Sequence, residues 1–90
     1  MTVRYRLRIT GPAAKALSNQ LPEKIATAAY AFIVGPLLEN PYRVGKPLGP
    51  PLEPVWSARR GSYRILCLVD ESQRVVEVTA VKHRADAYRS

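Results

Sequence analysis

The segment from Asn40 to Pro54 constrains the fold more than any other part of the chain. It carries Pro41, Pro47, Pro50, Pro51 and Pro54, five of the eight prolines, together with Gly45 and Gly49. Proline donates no backbone hydrogen bond, and its ring clashes with a preceding helical turn. Regular helix is therefore excluded here. The expectation is an extended loop running over the surface, with Arg43 and Lys46 on it. The segment also divides the chain. Before it, apolar residues recur at helical spacing after an opening strand; after it, they recur at strand spacing.

The first half opens with strict alternation. Val3, Tyr5, Leu7 and Ile9 point one way, and Arg4, Arg6 and Arg8 the other. That is the period of a half-buried strand. Its arginines either meet an anion or line a solvated edge, where like charges discourage aggregation. Thr10-Gly11-Pro12 ends the strand, and proline suits the first turn of the helix that follows. Ala13, Leu17 and Leu21 share one side of that helix. Pro22 opens a second, with Ile25, Ala28, Ala29, Phe32 and Ile33 as its core-facing stripe. Gly35-Pro36 ends or kinks it. The short break between the two makes an antiparallel helical hairpin.

Three strands are expected in the second half: Val55 to Arg60, Tyr63 to Val69 and Val75 to Val81. Gly61-Ser62 suits a tight hairpin turn, and Asp70 to Arg74 a longer one. Tyr63 to Val69 is apolar on both faces except at Arg64, as in a central strand. The fold class is α+β: an N-terminal strand, an antiparallel helical hairpin, then a three-stranded antiparallel meander joining one sheet, and a short C-terminal tail or helix.

Ninety residues make a single domain, covering 1–90. An apolar fraction of 47% is that of a globular chain. No run approaches the roughly 18 apolar residues of a membrane span. The opening alternation is unlike a signal peptide. A cytoplasmic protein with no membrane partner is expected. Cys67 is the single cysteine and His83 the single histidine. They allow no intrachain disulfide and no Cys/His zinc site. Neither a metal nor a cofactor is expected.

Charge points to the partner. Fourteen Lys and Arg against seven Asp and Glu give a net +7, and ten of the fourteen are Arg. The planar guanidinium fork suits phosphate and carboxylate. An anionic partner follows: nucleic acid, an acidic protein or an anionic membrane. A two-residue turn at Gly61-Ser62 sets Arg59 opposite Arg64, with Cβ atoms about 4.5–5.5 Å apart. Two such arginines repel unless an anion sits between them. If the second hairpin pairs Val69 with Val75, Arg64 faces Ala80 and has Lys82 as a diagonal neighbour on the same face. Arg59, Arg64 and Lys82 then converge. The segment Lys82 to Arg89 adds His83, Arg84 and Tyr88. Histidine exchanges protons near neutral pH, and tyrosine can donate a proton or stack on a base. Read alone, this stretch is better explained as a frayed basic tail with Asp86 paired to Arg84 or Arg89.

Trp56-Ser57, Arg59, Gly61 and Tyr63-Arg64 on the first hairpin, His83-Arg84 with Tyr88 at the end, and Arg43 to Leu48 upstream together resemble the RelE family of toxins, in the RelE/ParE superfamily of toxin–antitoxin modules. The resemblance covers almost the whole chain. It implies a compact α+β domain acting as a ribosome-dependent mRNA endonuclease, with no metal. The RNA 2′-hydroxyl would attack the neighbouring phosphorus. By position, Arg64 corresponds to the phosphate-gripping arginine, Lys82 to a second catalytic basic residue, His83 to a histidine many relatives carry, and Tyr88 to the closing tyrosine. Arg59 would support them, and Arg60, Lys46, Arg43 and Arg84 would contact RNA. Some members carry lysines on the strand before the turn, where Val55 and Ser57 stand here. The proton acceptor stays open among Lys46, His83 and Tyr88. The resemblance also implies a cognate RelB-like antitoxin with an acidic wrapping segment, a toxin–antitoxin hetero-oligomer, and the ribosome and mRNA as partners. A ParE-type toxin that poisons DNA gyrase without cutting RNA, or an RNA-binding module without catalysis, are the alternatives.

Overall fold

A computed structural model of the chain describes residues 4–51 and 54–83. The strands are β1 (Arg6–Ile9), β2 (Lys46–Pro47), β3 (Trp56–Arg60), β4 (Tyr63–Asp70) and β5 (Val75–His83), and the helices are α1 (Gly11–Lys15), α2 (Glu23–Phe32) and α3 (Pro41–Val44). The strands form one sheet in the order β1-β5-β4-β3-β2. β1 runs parallel to β5, and every other neighbouring pair is antiparallel. β4 takes the middle position that its two-sided apolar run anticipates. Among the described residues no helix is long and apolar enough to cross a membrane. The C-terminal tail or helix expected over residues 84–90 lies outside the described residues.

The helices cover one face of the sheet. The Thr10 hydroxyl caps α1 by accepting from the Ala13 N–H at 3.4 Å, with Pro12 in the first turn. α1 runs on into a π-helical turn at Ala16–Gln20, and α2 into another at Ile33–Leu37. The second contains Pro36, and a wider turn accommodates a residue with no N–H to give. Ala13, Ala29, Phe32, Ile33 and Leu37 meet Ala58, Ile65, Cys67, Val76, Val78 and Val81 of the sheet in one core. The Tyr63 hydroxyl crosses this layer and donates to the Ala28 carbonyl at 3.1 Å.

The proline-rich segment is more ordered than its composition implies. One helical turn, α3, forms at its start. Pro41 occupies the first helical position, where an absent N–H costs nothing. The Asn40 side chain caps the turn by accepting from the Arg43 N–H at 3.2 Å. After Gly45 the chain pairs with β3 as the short edge strand β2. Pro47 is tolerated because edge strands leave alternate N–H groups unpaired. A wholly extended loop is therefore incorrect for Pro41 to Pro47.

The β4–β5 hairpin also differs from the expected register. Asp70 extends β4 and pairs with Val75, so Val69 pairs with Val76. The cause is local. The Asp70 carboxylate accepts from the Ser72 hydroxyl at 2.7 Å and the Gln73 N–H at 3.1 Å, closing a four-residue turn that Arg74 completes at φ 56°. A bulge then leaves Thr79 unpaired, between Val78 opposite Cys67 and Ala80 opposite Leu66. The Thr79 hydroxyl donates to the Leu66 carbonyl at 3.3 Å, and the Thr10 hydroxyl donates to the Thr79 carbonyl at 3.2 Å. Arg64 consequently faces Lys82 directly, not Ala80. Turn and bulge each shift the register by one residue, so together they preserve the face on which Lys82 lies.

Cys67 sits in the core at 1% exposure, and burial pushes its thiol up to about 11. The thiolate is the reactive form. Native protein is therefore expected to resist iodoacetamide at pH 8 under conditions that label urea-unfolded chain to completion. Equal labelling rates in the two states would contradict this burial.

Glu71, at the tip of the β4–β5 turn, collects three partners. Its carboxylate accepts from the Tyr5 hydroxyl at 2.7 Å, the Tyr42 hydroxyl at 2.5 Å and the Arg74 guanidinium at 2.6 Å. The Tyr42 bond above all, then Tyr5 and Arg74, holds the Glu71 carboxyl below the usual range. A carboxylate with a depressed folded pKa adds stability above its unfolded pKa and loses it as pH falls through the folded one. The urea midpoint of wild type should exceed that of Glu71→Gln by a constant margin above the ordinary glutamate pKa of about 4.3, and the margin should shrink below it. A margin independent of pH would count against the charged bond.

Candidate functional site

The sheet face that the described helices leave open carries charge in two separate zones. At one end, Arg59 of β3, Arg64 of β4 and Lys82 of β5 are directly opposed across three adjacent strands. All three are exposed. One row further along lie Lys46, Ser57, Leu66 and Ala80. Lys46 therefore borders the cationic row on the same face. At the far end are Glu77, opposite Arg8, and Asp70, opposite Val75. Hydrogen bonds from Ser72 and Gln73 hold the Asp70 carboxyl below its ordinary range. Half-buried Leu66 and Leu68 separate the two zones.

Among the described residues, none of Arg59, Arg64 and Lys82 has an ion-pair partner. Three like charges on adjacent strands repel one another. The row sets two planar guanidinium groups and one ammonium side by side on one face, a chemistry suited to an anion. It can grip a phosphate and can also stabilise negative charge developing on one.

Other expected site residues lie elsewhere. Arg60 follows Arg59 along β3 and alternates to the helix side, where its guanidinium sits 5.4 Å from the Phe32 ring centroid. His83 pairs with Tyr63 and likewise alternates away from Arg64 and Lys82. Arg43 is exposed on α3. Arg84 and Tyr88 lie outside the described residues. Among the described residues no group of three or more His, Cys, Asp or Glu comes together to hold a metal ion.

One cluster had no counterpart in the sequence reading. Tyr5, Tyr42 and Trp56 stack edge to face, with ring centroids 6.5 Å apart for Tyr5–Tyr42 and 5.0 Å for Tyr42–Trp56. Arg74 covers the Tyr5 ring at 4.1 Å and binds Glu71. The hint available was an inward-pointing tyrosine immediately before β1, whose hydroxyl needs a polar partner once buried.

Comparison with known proteins fits this geometry. A family model described as the ParE toxin of the type II toxin–antitoxin system parDE matches residues 5–88. The chain belongs to the RelE/ParE superfamily of type II toxins. It is 47% identical over 85 residues to "Toxin RelE" of Mycobacterium tuberculosis, covering 94% of this chain and 87% of that protein. It is 44% identical to "Toxin RelG" of the same organism, covering 94% of this chain and 97% of the relative. The M. tuberculosis toxin–antitoxin complex RelBE2 contains a chain matching with a TM-score of 0.88 at 41% identity, over 91% of this chain and 100% of that one. A free Escherichia coli RelE mutant matches with a TM-score of 0.72 at 22% identity, over 96% and 88%, and supports the fold alone. This toxin is thus a RelE-family member whose charged row lies on the open face of the RelE-like sheet.

Proposed function

We propose that this toxin is a ribosome-dependent mRNA endonuclease that inhibits translation without a metal, using the RNA 2′-hydroxyl as the nucleophile. The single observation behind this reading is the Arg59–Arg64–Lys82 row on an uncovered face. In the reaction, the 2′-oxygen bonds to phosphorus, the bond to the 5′-oxygen breaks, and the 2′ proton is removed as the 5′-oxygen gains one. Arg64, central in the row, stabilises the phosphorane charge. Lys82 flanks it, and Arg59 and Lys46 hold the adjoining phosphates. Within β5, His83 faces the other way, which leaves proton transfer to Lys46, on the face of Arg64, or to Tyr88, which the resemblance nominates. Arg43 and Arg84 add basic contacts to the RNA, and Arg60 supports the turn from the helix side.

The toxin's inhibitor is a cognate antitoxin, consistent with the RelBE complexes among its structural neighbours. A partner with acidic residues would cap the cationic row. An apolar groove between β1 and the helical hairpin, lined by Ile9, Leu17, Leu21, Ala26 and Tyr30, would receive its apolar side chains. The site of action is the cytoplasm, where ribosomes and mRNA meet.

The description of the matching family favours a second reading, a ParE-type toxin that poisons DNA gyrase without cutting RNA. Ribosomes carrying a defined mRNA, incubated with the toxin, should yield new 5′ ends that primer extension maps. No new ends, together with inhibited supercoiling by purified gyrase, would replace the nuclease reading with the second one.

A further inference from the structure

β2 is too short to hold itself in place. It has two paired residues, Lys46 opposite Ser57 and Pro47 opposite Trp56, and a nearby bond from the Leu48 N–H to the Val55 carbonyl at 2.9 Å. Yet Lys46 borders the cationic row. What precedes β2 is better anchored. The Gly45 N–H donates to the Pro41 carbonyl at 3.0 Å, closing α3. Gly45 is also pressed against β3: a Cβ there would lie 3.0 Å from the Pro41 oxygen and 3.5 Å from the Ser57 oxygen. A Cβ here would be in ordinary contact with β3 and tight against the Pro41 carbonyl, which would have to give by a few tenths of an ångström.

α3 is held from its other side by Tyr42. The ring packs on Trp56, the residue opposite Pro47, and the hydroxyl donates to Glu71 at 2.5 Å. Glu71 is fixed in turn by Tyr5 and Arg74. A carboxylate on an exposed turn would otherwise be solvated by water. Here it joins the N-terminal end of β1, α3 and the β4–β5 turn, with Tyr5 and Tyr42 lying 66 and 29 residues away in sequence.

We propose that Tyr42 and Glu71, with Tyr5 and Arg74, form a clasp that positions Lys46 beside the cationic row, making Tyr42 and Glu71 positioning residues for RNA binding. The proposal rests on the reading of this face as RNA-binding. It assigns no contact with RNA to the clasp. The clasp acts through α3 and Gly45, and its effect should vanish when Lys46 has nothing left to contribute.

The test measures binding of a fluorescein-labelled single-stranded RNA 12-mer by anisotropy across a salt series, and amide hydrogen exchange at Leu48 and Ile65. Lys46→Ala should weaken binding by about threefold to tenfold and lower the salt slope by about 0.7, the share of one phosphate contact on a single strand. Tyr42→Phe and Glu71→Gln should each reproduce at least a third of that loss on a logarithmic scale. In the Lys46→Ala background they should add nothing. Leu48 exchange should rise in both variants by a larger factor than Ile65 exchange, whose change follows the loss of global stability read from the urea midpoint, and this excess separates local release of β2 from global destabilisation. Unchanged Leu48 exchange, or losses that multiply with Lys46→Ala, would overturn the clasp while leaving the RNA-binding face intact. No effect of Lys46→Ala on binding would sink the RNA reading of this strand, and the proposal with it.

Discussion

Replacing Arg64 with alanine is expected to lower the mRNA cleavage rate by about 10²-fold or more. Arg64 lies in β4, the middle strand of five, between Arg59 and Lys82. A strand paired on both sides keeps its backbone still, so the guanidinium needs little reorganisation as charge develops on the phosphorane. A preplaced donor of this kind contributes about 2.7–4 kcal/mol to a transition state. Arg64 is exposed and outside the core, so the variant should fold as wild type does, and urea midpoints will verify that. Arg64→Lys should recover part of the rate, because the charge remains but the bidentate fork is lost. Single-turnover cleavage on mRNA-programmed ribosomes is the measurement. A loss below about threefold would make Arg64 a binding residue only.

The largest stability effect is expected at Ile65, the neighbour of Arg64 on the opposite face. Its side chain is fully buried at 0% exposure, with Ala58 and Val81 directly opposed to it. Ala58 is too small to fill a void. Ile65→Ala removes three carbons and leaves a cavity, for a cost of about 2–5 kcal/mol. Folded domains retain only about 5–15 kcal/mol in total, and a small domain sits near the low end. Urea denaturation should show a midpoint lowered by roughly 1–3 M at unchanged m-value. A shift below about 0.5 M would mean that the helical layer closes the space.

Much of this arrangement was legible in the sequence where short-range rules decide. The alternation of Tyr5, Leu7 and Ile9 against Arg6 and Arg8 identified β1. The two-residue turn at Gly61-Ser62 fixed Arg59 opposite Arg64, because turn length sets register. The opposite facing of Arg60 and His83 was also within reach, since each follows a residue of the cationic row. What escaped was decided by contacts the sequence does not advertise. Asp70 closed the second turn through its own side chain, one residue later than apolar pattern suggests. Proline at Pro41 signalled a break and in fact began a helical turn, because Asn40 supplied the cap. The Glu71 cluster joins residues far apart in the chain, and only the assembled sheet brings Tyr5 and Tyr42 to one carboxylate.

The bulge at Thr79 makes chain length and chemistry separable in β5. Residues before it take their phase from the turn, and residues after it take theirs from Arg64. An insertion or deletion elsewhere in the strand would exchange Lys82 with a core-facing neighbour. Thr79 is the exception, since it holds no ladder position opposite β4 and would forfeit only its hydrogen bonds with Leu66 and Thr10. Without it, Val78 would still meet Cys67 and Ala80 would still meet Leu66 in a regular ladder. The toxin thus has one position in β5 where the chain can shorten by a residue and keep both its hydrophobic interior and the alignment of its cations.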